Sequence, residues 1–264
     1  MSVSLNDLLE LMRQLRAPEG GCPWDREQTL QSLVKHTLEE AYEVADVVER
    51  SAHDELKAEL GDLLFQVVFY TQIASEMGAF DFAEVIDALH HKLTRRHPHV
   101  FGAEMMASAP VTNLRWESLK AAERSARAMG RPASELDDVP LALPALTRAT
   151  KLQKRAARVG FDWESVSPVF EKVREELMEL ESAIADSAAV DQLTEELGDI
   201  LFASVNLGRH LGLDSEGALR AANRKFERRF HYIESELAAA GSRVEEADLT
   251  TLDALWDAAK RAGL

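Results

Sequence analysis

The chain has 264 residues, 46% of them hydrophobic, which is enough to fill the core of one large domain or of two ordinary ones. Its 46 acidic residues against 30 basic residues give a formal charge of -16, which disfavours nucleic acids as partners because their backbones are also anionic. An acidic protein that handles a phosphorylated substrate needs bound cations, so carboxylate ligands are the first feature to look for.

The N-terminal segment 1–16 has leucines at the spacing of an amphipathic helix, which is not the pattern of a signal peptide. The longest apolar stretches, 63–70 and 200–207, are well short of the ~18 residues that cross a bilayer. Cys22 is the only cysteine, so no intramolecular disulfide forms and a reducing compartment is compatible. The sequence therefore predicts a cytoplasmic protein without membrane segments.

Leu, Ala, Glu and Arg recur at spacings of three and four along the chain, and the alternating apolar pattern of strands is not found. This periodicity predicts an all-α fold. In chain order, the predicted helices are 4–16, 27–50, 54–77, 82–95, 113–127, 142–157, 166–185, 190–211, 215–239 and 250–261.

The stretch 128–144 contains one glycine and three prolines among polar residues, and it separates two helical halves. It predicts an N-terminal domain at 1–128, a linker at 129–144 and a C-terminal domain at 145–264, which is expected to be the main catalytic unit. The two halves repeat three blocks of sequence, offset by 136, 137 and 133 residues, so duplication is the best explanation. The paired blocks are His36–Glu43 with Lys172–Glu179, Glu59–Phe65 with Glu196–Phe202, and Lys92–Arg96 with Lys225–Arg229.

Each half carries two pairs of carboxylates, and the members of each pair are three residues apart on one helix face. Two antiparallel helices can then direct four carboxylates at one another, an arrangement that needs cations because the charges repel. Ligation by oxygen alone suits Mg²⁺ or Mn²⁺. The two sets are Glu40, Glu43, Glu59 and Asp62 in the first half, and Glu176, Glu179, Glu196 and Asp199 in the second.

An isolated Glu-x-x-Glu is usually a solvated helix face, but the flanking residues favour a site here. Apolar side chains expected to be buried surround the first-half pairs, among them Leu38, Tyr42, Leu60 and Leu64. A glycine precedes each aspartate, at Gly61 and Gly198, and costs about 1 kcal/mol of helix propensity relative to alanine. Its recurrence predicts a close approach by a helix or a ligand.

The Glu-Glu-x-x-Glu segment followed by Glu-x-x-Asp resembles the signature of the all-α nucleoside triphosphate pyrophosphatases. The tandem arrangement and three further motifs resemble two-domain bacterial MazG proteins over essentially the whole chain. This resemblance implies tandem helical bundles, Mg²⁺ bound by four carboxylates, a homodimer, and hydrolysis of nucleoside triphosphates to monophosphate and pyrophosphate with broad specificity. The further motifs are Gly21–Asp25, Gly61–Phe69 and Arg95–Phe101.

The same resemblance assigns the two carboxylate sets as metal ligands, and it places phosphate contacts on the basic helix of each half. The predicted phosphate contacts are Lys225, Arg228 and Arg229, with Lys92 and Arg96 in the first half. Glu39 and Glu175 lie about 100° around the helix from the ligands and are candidates for orienting a water. The predicted catalytic set in the second half comprises Glu175, Glu176, Glu179, Glu196, Asp199, Lys225 and Arg229.

Trp24, Trp163 and Trp256 are each expected to be core or interface residues, and Trp163 is the best candidate of the three to contact a nucleobase. His97 and His99 have no counterpart in the second half and are interpreted as part of a turn.

Two other functions compete with triphosphate hydrolysis as interpretations of the carboxylates. A di-iron carboxylate bundle requires Glu-x-x-His, which does not occur in the repeat. A nucleotide-binding or regulatory dimer, with one or both sites catalytically weak, stays open because intact ligands do not establish turnover.

Overall fold

The computed structural model describes residues 3–102 and 134–264, and all the regular secondary structure in these ranges is helical. The chain divides into two compact units, Met1–Lys120 and Ala121–Leu264. The predicted all-α class with tandem helical units is confirmed. The predicted helix 113–127 and the predicted boundary after residue 128 lie outside the described residues.

The described residues of the first unit form four longer helices and two short ones. The bounds of the longer helices are close to the predicted ones. The third helix begins at Val34 and not at 27, because Thr29 and Ser32 exchange side-chain-to-backbone hydrogen bonds of 2.9 and 3.1 Å that hold a turn before it. The helices are α1 Leu5–Leu15, α2 Pro23–Glu27, α3 Val34–Glu49, α4 Leu56–Glu76, α5 Phe82–Arg96 and α6 Pro98–Phe101.

The core of the first unit forms where α1 and α3 pack against α4. Five apolar side chains, each at most 5% exposed, make up this cluster. Helix α1 contributes Met12 to the cluster, and α4 contributes three residues from two consecutive turns. The members are Met12, Leu33, Val68, Phe69 and Ile73.

The second unit repeats this plan with longer helices at its C-terminal end. The glycine with positive φ that follows α4, Gly78, has a counterpart in Gly212, which follows the third helix of the second unit. The helices are α7 Ala145–Arg158, α8 Val166–Ala185, α9 Val190–His210, α10 Ser215–Ala239, a 3₁₀ turn Val244–Glu246 and α11 Leu249–Arg261. Helix α8 packs along α9, and α7 and α10 also contact α9.

Part of the predicted linker belongs structurally to the second unit. Arg155 of α7 donates to the backbone carbonyls of Glu135 and Asp137, and Val139 is buried. The described part of this segment, 134–144, is therefore held against α7.

Several apolar residues near the carboxylates are more exposed than the sequence predicted. Leu38, Tyr42, Leu60 and Leu64 are 40–48% exposed within the single chain, so the expectation that they are buried is wrong at this level. Beyond the local helix backbone and the adjacent residues, no described atom would lie within 4 Å of a Cβ at Gly61 or at its counterpart Gly198. The close approach predicted at these glycines is therefore not made within the described parts of the chain. No helix among the described residues is long and apolar enough to span a membrane.

Candidate metal centres and the adjoining cavity

The first carboxylate centre, Glu40, Glu43, Glu59 and Asp62, lies between α3 and α4. Carboxylate oxygens of Glu40, Glu43 and Glu59 lie within 4.8 Å of one another. Burial raises the pKa of Glu40, and the charges of Glu43 and Asp62 raise it further. Burial and the same two neighbours likewise raise the pKa of Glu59. The four acids therefore repel one another, and a bound cation would relieve that repulsion.

The second carboxylate centre, Glu176, Glu179, Glu196 and Asp199, occupies the corresponding place between α8 and α9. Oxygens of Glu176, Glu196 and Asp199 lie within 4.8 Å of one another, and Glu176 is only 5% exposed. A hydrogen bond with the Glu176 carboxyl group raises the pKa of Glu179, with burial and the Glu176 charge acting in the same direction. Three of the four predicted ligands therefore lie together in each unit, and the groups do not include Asp62 in the first unit or Glu179 in the second.

Lys172 is a residue of the second centre to which sequence reasoning gave no role. Its Nζ lies 2.7 Å from Glu176 and 2.8 Å from Glu175, and these contacts raise the pKa of the ammonium group. The ammonium thus supplies positive charge at the buried ligand, which is the kind of charge that the centre requires. Its position four residues before Glu176 on the helix was the available signal. In the first unit the equivalent residue is His36, whose Nδ1 is 3.6 Å from Glu39.

A cavity of about 660 Å³ opens beside the second carboxylate centre, within the size range of small-molecule sites. Its walls come from α7, α8, α9 and the loop before α8. We call it the α7–α9 cavity. The charged residues Lys172, Glu176 and Asp199 belong to its lining. Apolar and amide side chains line it as well, among them Phe161, Trp163, Phe202, Gln153 and Asn206. A molecule in this cavity could therefore contact aromatic rings and metal-binding carboxylates at once.

The loop that carries Phe161 and Trp163 is held by an ion-paired cluster. Asp162 accepts two hydrogen bonds from the Arg209 guanidinium and lies 3.0 Å from His210 Nε2, while its Oδ1 also accepts from the Trp163 backbone N–H. Arg209 lowers the pKa of Asp162 to about 2, with smaller contributions from His210 and the Trp163 amide. The cluster fixes the position of the tryptophan at the cavity wall.

The basic residues predicted to bind phosphate lie on α10 in the second unit and on α5 in the first. Arg229 Nε donates to the Leu264 carbonyl at 2.7 Å, and its guanidinium lies 5.3 Å from the centre of the Trp256 ring. Neither Lys225, Arg228 nor Arg229 lines the α7–α9 cavity. Their phosphate-binding role, like that of Lys92 and Arg96, stays a prediction.

Comparison with known proteins agrees with this arrangement. The family model described as the MazG nucleotide pyrophosphohydrolase domain matches twice, at residues 28–101 and 164–233. The chain belongs to the MazG family. It is 51% identical over 259 residues to a nucleoside triphosphate pyrophosphohydrolase of Escherichia coli, covering 97% of each chain. It is 42% identical to the nucleoside triphosphate pyrophosphohydrolase/pyrophosphatase MazG of Thermotoga maritima, covering 98% of this chain and 96% of that protein.

The two MazG matches each contain one complete carboxylate centre, which confirms the resemblance predicted from the repeat. The second match begins at residue 164, so helix α7 and the loop bearing Asp162 and Trp163 lie outside it. These segments supply much of the α7–α9 cavity wall. The MazG match therefore accounts for the carboxylates but not for the whole cavity.

We predict that Asp162→Asn destabilises the second unit, because it leaves Arg209, with a side chain only 11% exposed, without its ionic partner. The free energy of unfolding in urea should fall by about 2 kcal/mol at neutral pH. Since folding lowers the pKa of Asp162, its contribution is complete above pH ~4 and is lost as the pH falls towards about 2. The difference in stability between wild type and variant should therefore shrink over that window.

The matched control for this variant is Asp257→Asn. Asp257 pairs with Lys260, and both side chains are about half exposed, so its replacement should change stability by less than about 0.5 kcal/mol. Equal effects of the two substitutions would contradict a structural role for the Asp162 cluster.

Proposed function

We propose that the protein hydrolyses nucleoside triphosphates to the monophosphate and pyrophosphate, with Mg²⁺ held at the second carboxylate centre and Mn²⁺ as a substitute. Membership of the MazG family and the names of its relatives support the reaction. The observation that carries the proposal to this chain is the grouping of Glu176, Glu196 and Asp199, two of which, Glu176 and Asp199, also line the α7–α9 cavity.

The side chains of the second centre suit a hard divalent cation. They offer carboxylate oxygens only, and one ligand, Glu176, is almost fully buried, where an uncompensated negative charge is costly. Glu176, Glu179, Glu196 and Asp199 would hold the ion. When bound, Mg²⁺ neutralises the triphosphate and lowers the pKa of a coordinated water.

The chain's own residues divide the remaining tasks. We expect the ammonium of Lys172, which lines the cavity and lies beside Glu175 and Glu176, to contact a phosphate oxygen of the substrate. One oxygen of Glu175 accepts from Lys172, so the carboxylate is held in position to orient a water and to accept its proton. Trp163 and Phe161 provide aromatic surface for the nucleoside.

The proposal predicts strict dependence on a divalent cation. Purified protein should release pyrophosphate and nucleoside monophosphate with Mg²⁺ or Mn²⁺, and excess chelator should abolish the release because the carboxylates then have no counter-charge. Ion-exchange chromatography of the products distinguishes the position of cleavage. Formation of orthophosphate and nucleoside diphosphate would overturn the proposed cleavage position.

A nucleotide-binding role without turnover is the second candidate, and one observation favours it for the first unit. There the place that corresponds to the α7–α9 cavity is occupied by the apolar cluster that contains Met12 and Phe69, both completely buried. In the described part of the first unit, an apolar core therefore fills the place that the cavity takes in the second unit. We propose that the second unit performs most of the hydrolysis.

This asymmetry is tested by comparing Glu179→Gln with Glu43→Gln, each of which removes one anionic ligand with little change in shape. We expect kcat to fall about 100-fold or more in the first variant and only a few-fold in the second, because only the second centre adjoins the cavity. Steady-state pyrophosphate release measures both. Equal losses would indicate two working sites, and the reverse order would rule out the assignment.

We further propose that the protein is a homodimer. Apolar side chains on the helices of both centres are 41–50% exposed in the single chain, among them Leu60, Leu64, Leu197 and Leu201. Each unit also leaves open space over the glycine between two of these leucines, Gly61 and Gly198. A second copy would cover these faces and supply the close approach that the glycines permit.

Light scattering should therefore give about twice the chain mass of 29.4 kDa at assay concentration. Leu201→Glu should shift the protein towards the monomer, because a charge would have to be buried in the interface. Leu249→Glu is the control, since Leu249 is 80% exposed at the start of α11, away from the carboxylate helices. A monomeric wild type would exclude the dimer.

A further inference from the structure

The α7–α9 cavity contains a buried hydrogen-bond acceptor that has no partner. Gln153, the buried residue of α7, is 7% exposed, and its Nε2 donates to the Phe202 carbonyl at 2.8 Å. A carbonyl oxygen only accepts, so this contact determines which end of the amide is the nitrogen. The other end, Oε1, is buried without a hydrogen bond, and Gln153 is one of the residues that line the cavity. An unpaired buried acceptor is costly, which points to a partner supplied by a ligand.

A second amide on the same cavity wall has its orientation determined in the same way. Asn206 is 7% exposed, and its Oδ1 accepts from Arg209 Nε at 2.8 Å. A guanidinium only donates, so the amide oxygen must face it and the Asn206 NH₂ group is a donor. Arg209 is in turn held by Asp162. The cavity thus presents one acceptor, from Gln153, and one donor, from Asn206.

The first unit shows that this polar pair is not required by the helical fold. Phe69 precedes Asn206 by the same 137 residues that separate Glu59 from Glu196, so the two occupy equivalent positions on α4 and α9. Met12 is the buried residue of α1, as Gln153 is of α7, and each helix packs on the metal-binding helix of its unit. The first unit fills this place with Met12 and Phe69. An apolar solution exists, and the second unit has amides instead.

We propose that Gln153 and Asn206 recognise the nucleobase of the substrate, with Gln153 Oε1 accepting from an N–H of the base and the Asn206 NH₂ group donating to an acceptor beside it. This inference rests on the proposed function. Each of the four common bases carries an N–H donor next to an acceptor on its pairing edge, so the pair accepts all of them. It discriminates against a base that has no N–H donor, because Gln153 Oε1 would then stay buried and unpaired.

The experiment compares ATP with purine riboside 5′-triphosphate, which differs from ATP only in lacking the exocyclic amine and therefore has no N–H donor on its base. Wild-type kcat/KM should be about 10-fold to 100-fold lower for the purine analogue, as expected for leaving one buried acceptor unpaired. The values for ATP, GTP, CTP and UTP should differ less from one another than ATP does from the analogue. Equal kcat/KM for ATP and the analogue would overturn the inference while leaving the hydrolase intact.

Gln153→Met assigns the discrimination to this residue, because methionine has a similar length and volume but no amide. The preference for ATP over the analogue should fall to within about two-fold, since neither substrate then leaves an acceptor unpaired. The control is Gln66→Met, which replaces another buried glutamine, 5% exposed and with an unpartnered Oε1, in the first unit. It should keep the wild-type preference.

The outcomes distinguish failure of base recognition by Gln153 from failure of the proposed hydrolysis. If Gln153→Met retains the full preference for ATP, the acceptor lies elsewhere and the inference is wrong. If the wild type hydrolyses neither triphosphate with Mg²⁺, the proposed function fails and the recognition of a substrate base fails with it. Because the wild-type comparison needs no substitution, it decides the matter even if Gln153→Met does not fold.

Discussion

Repulsion between carboxylates is the constraint on which the organisation of each unit depends. In the first centre the charges of Glu43 and Asp62 act on both Glu40 and Glu59 and raise the pKa of each. Helices that bring such groups together gain nothing from the contact unless positive charge joins them. Two adjacent helices, each with acids three residues apart on one face, direct these acids towards one another. The rest of each unit supports that hairpin.

The second unit adds positive charge from its own chain. Lys172 places an ammonium against the buried Glu176, and Arg209 pairs with Asp162, which lines the same cavity. Both cations are fixed by carboxylates and are therefore part of the folded scaffold. The lining of this cavity combines charged side chains with aromatic and amide side chains, so one small molecule could contact both kinds of group.

Sequence periodicity predicted the helices well because each of them has a continuous apolar stripe, and the repeat located all eight acids. It placed the start of the third helix too early, since the bonds between Thr29 and Ser32 are a local competition that apolar spacing does not register. It also predicted burial of four side chains that are exposed in the single chain: Leu38, Tyr42, Leu60 and Leu64. An apolar pattern indicates that a helix face is covered, but it does not show whether the same chain covers it.

The residues that sequence reasoning missed are those whose role depends on distant parts of the chain. Gln153 has the appearance of an ordinary surface residue in a Lys- and Arg-rich helix, and only its 49-residue contact with the Phe202 carbonyl shows that it is buried. Asn206 lies within the apolar stretch 200–207, whose composition does not show that its amide contacts Arg209. Both could be found by asking which polar residues fall on the buried face of a helix, a question that requires knowing how α7 and α9 pack.

Comparison of the two units within one chain separates what the fold needs from what the chemistry needs. The carboxylates occur in both, so their retention does not identify the working site. The difference lies one layer away, where Met12 and Phe69 complete an apolar core and Gln153 and Asn206 leave a cavity. Burying two amides costs stability that Met and Phe would provide. A duplicated unit can bear that cost in one copy while the other copy keeps the tightly packed core. The buried amides of the second unit are therefore features that its helical fold does not require.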